Sequence, residues 1–145
     1  MSYKRLRYYT FVGGNLVTWR SKKQSIVSKS SVEAKFRALA LDICELLWLR
    51  RLLKELRISI ETSMKLYCDN KAAINIVHNP IYHDKTKHVA VDKHFIVENI
   101  KNGVICMPFI STKKQLIDVL TKGLQRDSFE SLTCNLGMND IFMPT

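Results

Sequence analysis

The chain has 145 residues, 46% of them hydrophobic, which is the size and apolar content of one compact domain with one core rather than two. Its 23 Lys+Arg against 13 Asp+Glu give a formal charge of +10, so it favours polyanions, whether nucleic acid, an acidic membrane surface or an acidic protein tail, although much of any such positive set is simply solvated surface. Cys44, Cys68, Cys106 and Cys134 lie far apart with no C-x-x-C pair, which speaks against a zinc site or redox dithiol, and the lack of a signal-peptide pattern or bilayer-length apolar run predicts an intracellular protein, cytoplasmic or nuclear and not secreted.

Residues 8–12 and 15–19 are β-rich stretches split by Gly13-Gly14, and two glycines supply the positive φ that a tight hairpin turn requires. Trp19, Arg20, Lys22 and Lys23 follow as an aromatic and basic cluster suited to gripping a nucleic-acid strand by stacking and charge, unless Trp19 is core. A polar, Ser-rich stretch then ends in a natural N-cap ahead of Val32, Phe36, Leu39, Ile43, Leu46, Leu47, Leu53 and Leu56. That spacing predicts a long helix over residues 32–56 with one face on a sheet. Trp48, at the flank of the stripe and followed by Arg50 and Arg51, is expected to pack in the core beside a basic outer face.

MKLYC at residues 64–68 is a strand-like run feeding a helical pattern through Ala72, Ala73, Ile76 and Val77, which Asn79-Pro80 ends. Residues 85–102 form the next helical pattern, with Val89, Phe95, Ile96 and Ile100 on its buried side, and Gly103 closes it. Residues 104–110 resemble a strand, a further helical stretch begins at Leu116 and ends near Gly123, and a last short helix follows from Arg126. The order β-β-α-β-α-α-β-α implies an α/β fold, a mixed sheet flanked by helices.

Five blocks together resemble the ribonuclease H domain of copia-type retrotransposon Pol polyproteins. They are GGNLVTWRSKKQSIVSKSSVEAKFRALA (residues 13–40), ELLWLRRLLKEL (45–56), LYCDNKAAINIVHNP (66–80), HDKTKH (83–88) and QLIDVLTKGL (115–124), in order across nearly the whole chain. The resemblance implies a single ribonuclease H-like domain over residues 1–145, incomplete at its N-terminus, with the first strand missing. It also implies the family's chemistry, in which four acidic side chains hold two Mg²⁺ (or Mn²⁺) ions that hydrolyse the RNA strand of an RNA–DNA hybrid. Paired divalent ions need clustered hard oxygen ligands.

The resemblance assigns those ligands one by one. The first is an aspartate on the absent opening strand. The second is a glutamate early in the long helix, within a pattern like S-S-x-E-A-E-Y/F, which here reads Ser30-Ser31-Val32-Glu33-Ala34-Lys35-Phe36. Lys35 therefore stands where the metal-binding glutamate is expected, and at about 100° per residue it falls roughly 60° from the centre of the apolar face, against roughly 100° for Glu33. A protonated ammonium can pair with aspartates in place of a metal but cannot coordinate Mg²⁺, and Glu33 rescues the site only if the first turn shifts. The third and fourth ligands match Asp69 and Asp118. Asp69 is equally suited to capping the helix after it, and Asp118 to an ordinary exposed pair with Lys122 at i+4.

His83, His88, Asp92 and His94 gather within twelve residues, a spacing better suited to a hydrogen-bonded His–Asp pair than to a zinc site, which wants three or four converging ligands. Lys85, Lys87 and His88 are candidate phosphate contacts, carrying no base information and weakening with salt. Cys68 has no histidine beside it in sequence, so cysteine catalysis is not expected. Three functions remain open: a degenerate nuclease domain that retains non-sequence-specific binding of RNA–DNA hybrid or other nucleic acid, an active nuclease completed by an upstream segment, or a non-catalytic module for protein contacts or self-association through the sheet edge left exposed by the missing strand.

Overall fold

The structure, a computed structural model, describes residues 5–23, 31–79, 87–111, 114, 116, 119–120 and 122–136, with the backbone alone at residues 5–7, 22–23, 31–32 and 87–88. The chain forms two compact units, Ser25–Ile110 and a second made of Met1–Gln24 with Ser111–Thr145. It is a mixed α/β protein with four helices and two two-stranded sheets among the described residues.

In the first unit α1 spans Ser31–Glu55, α2 Lys71–His78 and α3 Lys87–Lys101. The apolar stripe anticipated on α1 supplies Phe36, Leu39 and Ile43 to a buried cluster with Val89 and Ile96 of α3 and Val77 of α2. Both long helices stop by the same backbone device. After α1, Arg57 N–H donates to the Lys54 carbonyl at 3.0 Å and Ile58 N–H to Leu53 at 2.9 Å, with Arg57 at φ 61°. After α3, Gly103 N–H donates to Ile100 at 3.0 Å and Val104 N–H to Asn99 at 3.1 Å, with Gly103 at φ 68°. This pair of bonds satisfies terminal carbonyls by turning one residue left-handed, which glycine does at no steric cost and arginine does not.

Strands β3 (Met64–Lys65) and β4 (Ile105–Cys106) pair in parallel. They are shorter than the runs at 64–68 and 104–110 suggested, but the hydrogen bonding continues beyond them. Leu66 N–H donates to Cys106 (2.9 Å), Cys68 N–H to Pro108 (3.1 Å) and Ile110 N–H to Cys68 (3.0 Å), and Cys68 bridges Phe109. Pro108 has no N–H to return to this ladder, so regular pairing lapses there while the alternate bonds persist.

In the second unit β1 (Arg5–Val12) and β2 (Asn15–Lys23) form an antiparallel hairpin. Gly13 and Gly14 sit at φ 57° and 83°, the two positive values that a two-residue turn of matching twist demands. The register places Thr10 opposite Thr18, whose hydroxyls hydrogen-bond, and then Phe11 opposite Leu16, so Val17 is the extra residue of a bulge. The expected mixed sheet is thus present as an antiparallel hairpin and a separate parallel pair, each strand an edge strand among the described residues. The last helix, α4 (Arg126–Asn135), carries Asp127 in its first turn and an Arg126–Glu130 ion pair at 2.8 Å, both favourable to helix ends and faces.

Candidate functional site

The C-terminal end of the parallel ladder delivers Cys68 and Asp69 to α1. Cys68 is buried in the cluster that contains Phe36, Leu39 and Ile43. Its thiol feels three charged side chains: burial pushes its pKa up, Asp69 and Asp42 push it further, and Lys35 opposes them. Lys35 and Asp42 are seven residues apart on α1, two turns along one helix face. Asp69 at a strand end and Lys35 and Asp42 on one face of α1 thus all lie within electrostatic range of one sulfur. The thiol itself, buried and held protonated, is a poor nucleophile.

Asp69 is exposed and its carboxylate makes no hydrogen bond or ion pair among the described residues. The capping role falls instead to Asn70, whose side-chain oxygen accepts from Ala73 N–H at 3.0 Å. The cap and the carboxylate are thus separate functions of adjacent residues, and Asp69 is left available to solvent.

Asp42 is the residue that the apolar pattern hid. Its Oδ1 is sealed from solvent without a hydrogen-bond partner among the described residues. Burial, and then the nearby Glu45 carboxylate, push its pKa up from 3.8 to about 8. The signal was available: Asp42 lies three residues after Leu39 and four before Leu46, inside the stripe.

The positions of the other candidates are as follows. Lys35 is exposed; Glu33 is half-buried and already engaged in an interaction. Lys87 and His88 open α3, their side chains lying outside the described residues, as do His83, Lys85 and Asp118 entirely. Asp92, anticipated as a partner of His88, is buried at 8% exposure and accepts from Arg37 Nη1 at 3.3 Å, tying α3 to α1. Trp19 and Trp48 are 51% and 55% exposed, so Trp48 is not the core residue its sequence neighbours suggested.

The described donors do not make a site for paired divalent ions. No group of three or more His, Cys, Asp or Glu side chains is placed to hold a metal among the described residues. Asp69 alone offers one free carboxylate, short of the several oxygens that Mg²⁺ requires.

Comparison with known proteins finds relatives among transposon polyproteins. The chain is 37% identical over 134 residues to the retrovirus-related Pol polyprotein from transposon RE1 of Arabidopsis thaliana, covering 92% of this chain and 9% of that protein. It is 38% identical over 131 residues to the corresponding polyprotein from transposon RE2 of the same plant, and 36% identical over 131 residues to that from transposon TNT 1-94 of Nicotiana tabacum, each covering 90% of this chain. Its homologues are retrovirus-related Pol polyproteins of transposons. The chain spans about a tenth of their length. No family model matches it, and no solved structure does. Among the described residues no helix is long and apolar enough to cross a membrane.

Proposed function

We propose that this chain is a ribonuclease H-like domain of copia-type Pol ancestry, with hybrid cleavage lost or impaired and non-sequence-specific nucleic-acid binding retained. Support for the fold assignment comes from the order and separation of the five sequence blocks and from homology to transposon Pol polyproteins over at least 90% of the chain. The observation that carries the functional half is Lys35. A cation stands on α1 where the resemblance calls for a metal-binding glutamate, and it acts on the same thiol as Asp69.

An ammonium at that position neutralises the charge that would otherwise draw in a divalent ion, and it can contact a phosphate directly. The domain would thus hold hybrid by charge without cutting it. Lys87 and His88, which open α3, and Lys85, two residues before it in sequence, are the further backbone contacts in this proposal. Such binding tracks phosphates and falls with added salt.

The test is a labelled RNA–DNA hybrid incubated with the chain in Mg²⁺ or Mn²⁺, beside Lys35→Glu and Asp69→Asn. Salt-dependent binding without cleavage by the wild type is the expected result. Cleavage by the wild type that Asp69→Asn abolishes would show an active nuclease instead. Absence of hybrid binding together with salt-insensitive dimerisation would favour an edge-to-edge association module.

A further inference from the structure

The hairpin sorts its side chains in a way the sequence cluster did not reveal. Residues opposite one another in an antiparallel pair share a face, and so do residues two apart along a strand. The register pairs Tyr9 with Trp19, Arg7 with Ser21 and Arg5 with Lys23. One face therefore carries Trp19 and Tyr9 together with the positions of Arg5, Arg7 and Lys23. Arg20 and Lys22, adjacent to Trp19 in sequence, fall on the other face, opposite Tyr8 and Leu6.

The two faces differ in surroundings. The second holds Thr10, which is buried at 7% exposure; the first presents Trp19 at 51%. Phe11 meets Tyr9 edge-on, with ring centroids 5.6 Å apart and planes at 89°, which braces the Tyr9 ring from one side. The charge is one-signed: β1 and β2 contain Arg5, Arg7, Arg20, Lys22 and Lys23 and no acidic residue, and Glu33 is the first acid in the chain.

We infer that this aromatic face of the hairpin binds an unpaired nucleic-acid strand, with bases on Trp19 and Tyr9 and the backbone on Arg5, Arg7 and Lys23. Charge selects a polyanion, and the rings select its unpaired form. Trp19 and Tyr9 face each other directly across the hairpin, so their Cβ atoms stand about 4.5–5.5 Å apart, wider than the roughly 3.4 Å step between stacked bases in a duplex strand. Bases reach rings at that interval only when they are unstacked from each other. A duplex offers the face its phosphates alone. The inference builds on the nucleic-acid reading proposed above but does not involve Lys35, Asp69 or α3, which lie in the other unit.

The chain has two tryptophans, so Trp48→Phe leaves Trp19 as a single fluorescent reporter. This full-length variant is titrated with an unpaired oligonucleotide of about a dozen nucleotides, with a duplex and an RNA–DNA hybrid of the same sequence, and with anionic phospholipid vesicles. The expected result is quenching of Trp19 emission by the unpaired strand. Binding should fall with salt at a slope near −2 on log–log axes for three cations. It should be weakened roughly tenfold or more by Trp19→Ala and little by Trp19→Phe, measured by anisotropy of the labelled strand. Arg7→Gln should flatten the slope by about 0.7, and Arg20→Gln on the opposite face should change quenching little.

Unchanged emission on binding, equal affinity for duplex and single strand, or a Trp19 response to vesicles that the oligonucleotide does not displace would each overturn the inference. If the hybrid binds while the unpaired strand leaves Trp19 silent, the hairpin inference falls and the hybrid-binding function stands. Quenching by the unpaired strand with no hybrid binding supports the hairpin site and removes the hybrid reading.

Discussion

Replacing Asp42 by Asn isolates the energetic consequence of placing an acid in the apolar stripe of α1. The carboxyl titrates at about 8 in the folded chain against 3.8 for an ordinary aspartate. The folded state therefore holds this proton more tightly than the unfolded state, and between those two values it binds more protons. The resulting stability is fully present below pH 3.8 and is lost progressively as pH rises to about 8. Four pKa units at about 1.36 kcal/mol each set an upper bound of roughly 5 kcal/mol, and outward rotation of the carboxylate toward water brings the expected loss to about 2–4 kcal/mol. Asn has the same shape and no charge. Urea unfolding of both proteins at a series of pH values from below 3.8 to above 8 gives the difference directly, with contributions from groups not coupled to Asp42 cancelling. The two should be nearly equal at or below pH 3.8, diverge progressively through mild acid, and differ by about 2–4 kcal/mol in favour of the Asn variant above pH 8. Parallel pH profiles, or an Asn variant that is weaker in alkali, would refute the placement of Asp42.

Five further substitutions test the local architecture. Arg57→Gly should stabilise the chain by about 1 kcal/mol, because Arg57 holds the left-handed φ of 61° that ends α1, and a chemical denaturation midpoint will register it. Asn70→Ala should cost about 1 kcal/mol through loss of the bond to Ala73 N–H, whereas Asp69→Asn should leave the melting temperature unchanged, since the cap and the carboxylate are separate. Arg37→Met should cost about 1–2 kcal/mol by stranding the buried Asp92 carboxylate, and adding Asp92→Asn in a double-mutant cycle should recover part of that loss.

Where a local rule was sufficient, the sequence already located the element. Gly13-Gly14 gave the hairpin turn, Asn79-Pro80 the end of α2 and Gly103 the end of α3, because each depends on backbone geometry that neighbours do not alter. Trp48 shows where such rules stop. It lies five residues after Ile43, about 140° round the helix, so the face that buries Ile43 turns Trp48 outward; only the identity of the packed face could decide it. Asp69 and Lys35 were singled out by the resemblance. Asp42 was not, because an apolar stripe is recognised by its apolar members. The split of Trp19 from Arg20 and Lys22 likewise depends on strand register, which adjacency in sequence obscures.

Position 35 also links the charge pattern to metal response. Lys35 opposes, without cancelling, the upward pull that Asp69 and Asp42 exert on the Cys68 thiol. Lys35→Glu would reverse that opposition and raise the thiol pKa further through repulsion. Without divalent ions the variant should melt below the wild type. If the carboxylates at positions 35 and 69 reach a common point, Mg²⁺ or Mn²⁺ should restore that loss by binding the folded state, while leaving the wild type unmoved. Thermal melts of both proteins, with each ion and with a chelator, separate the outcomes. A Lys35→Glu chain whose melting temperature ignores divalent ions would mean that α1 and the strand end do not present their carboxylates to a common point, and that the lysine occupies a position where a glutamate could never have completed a site.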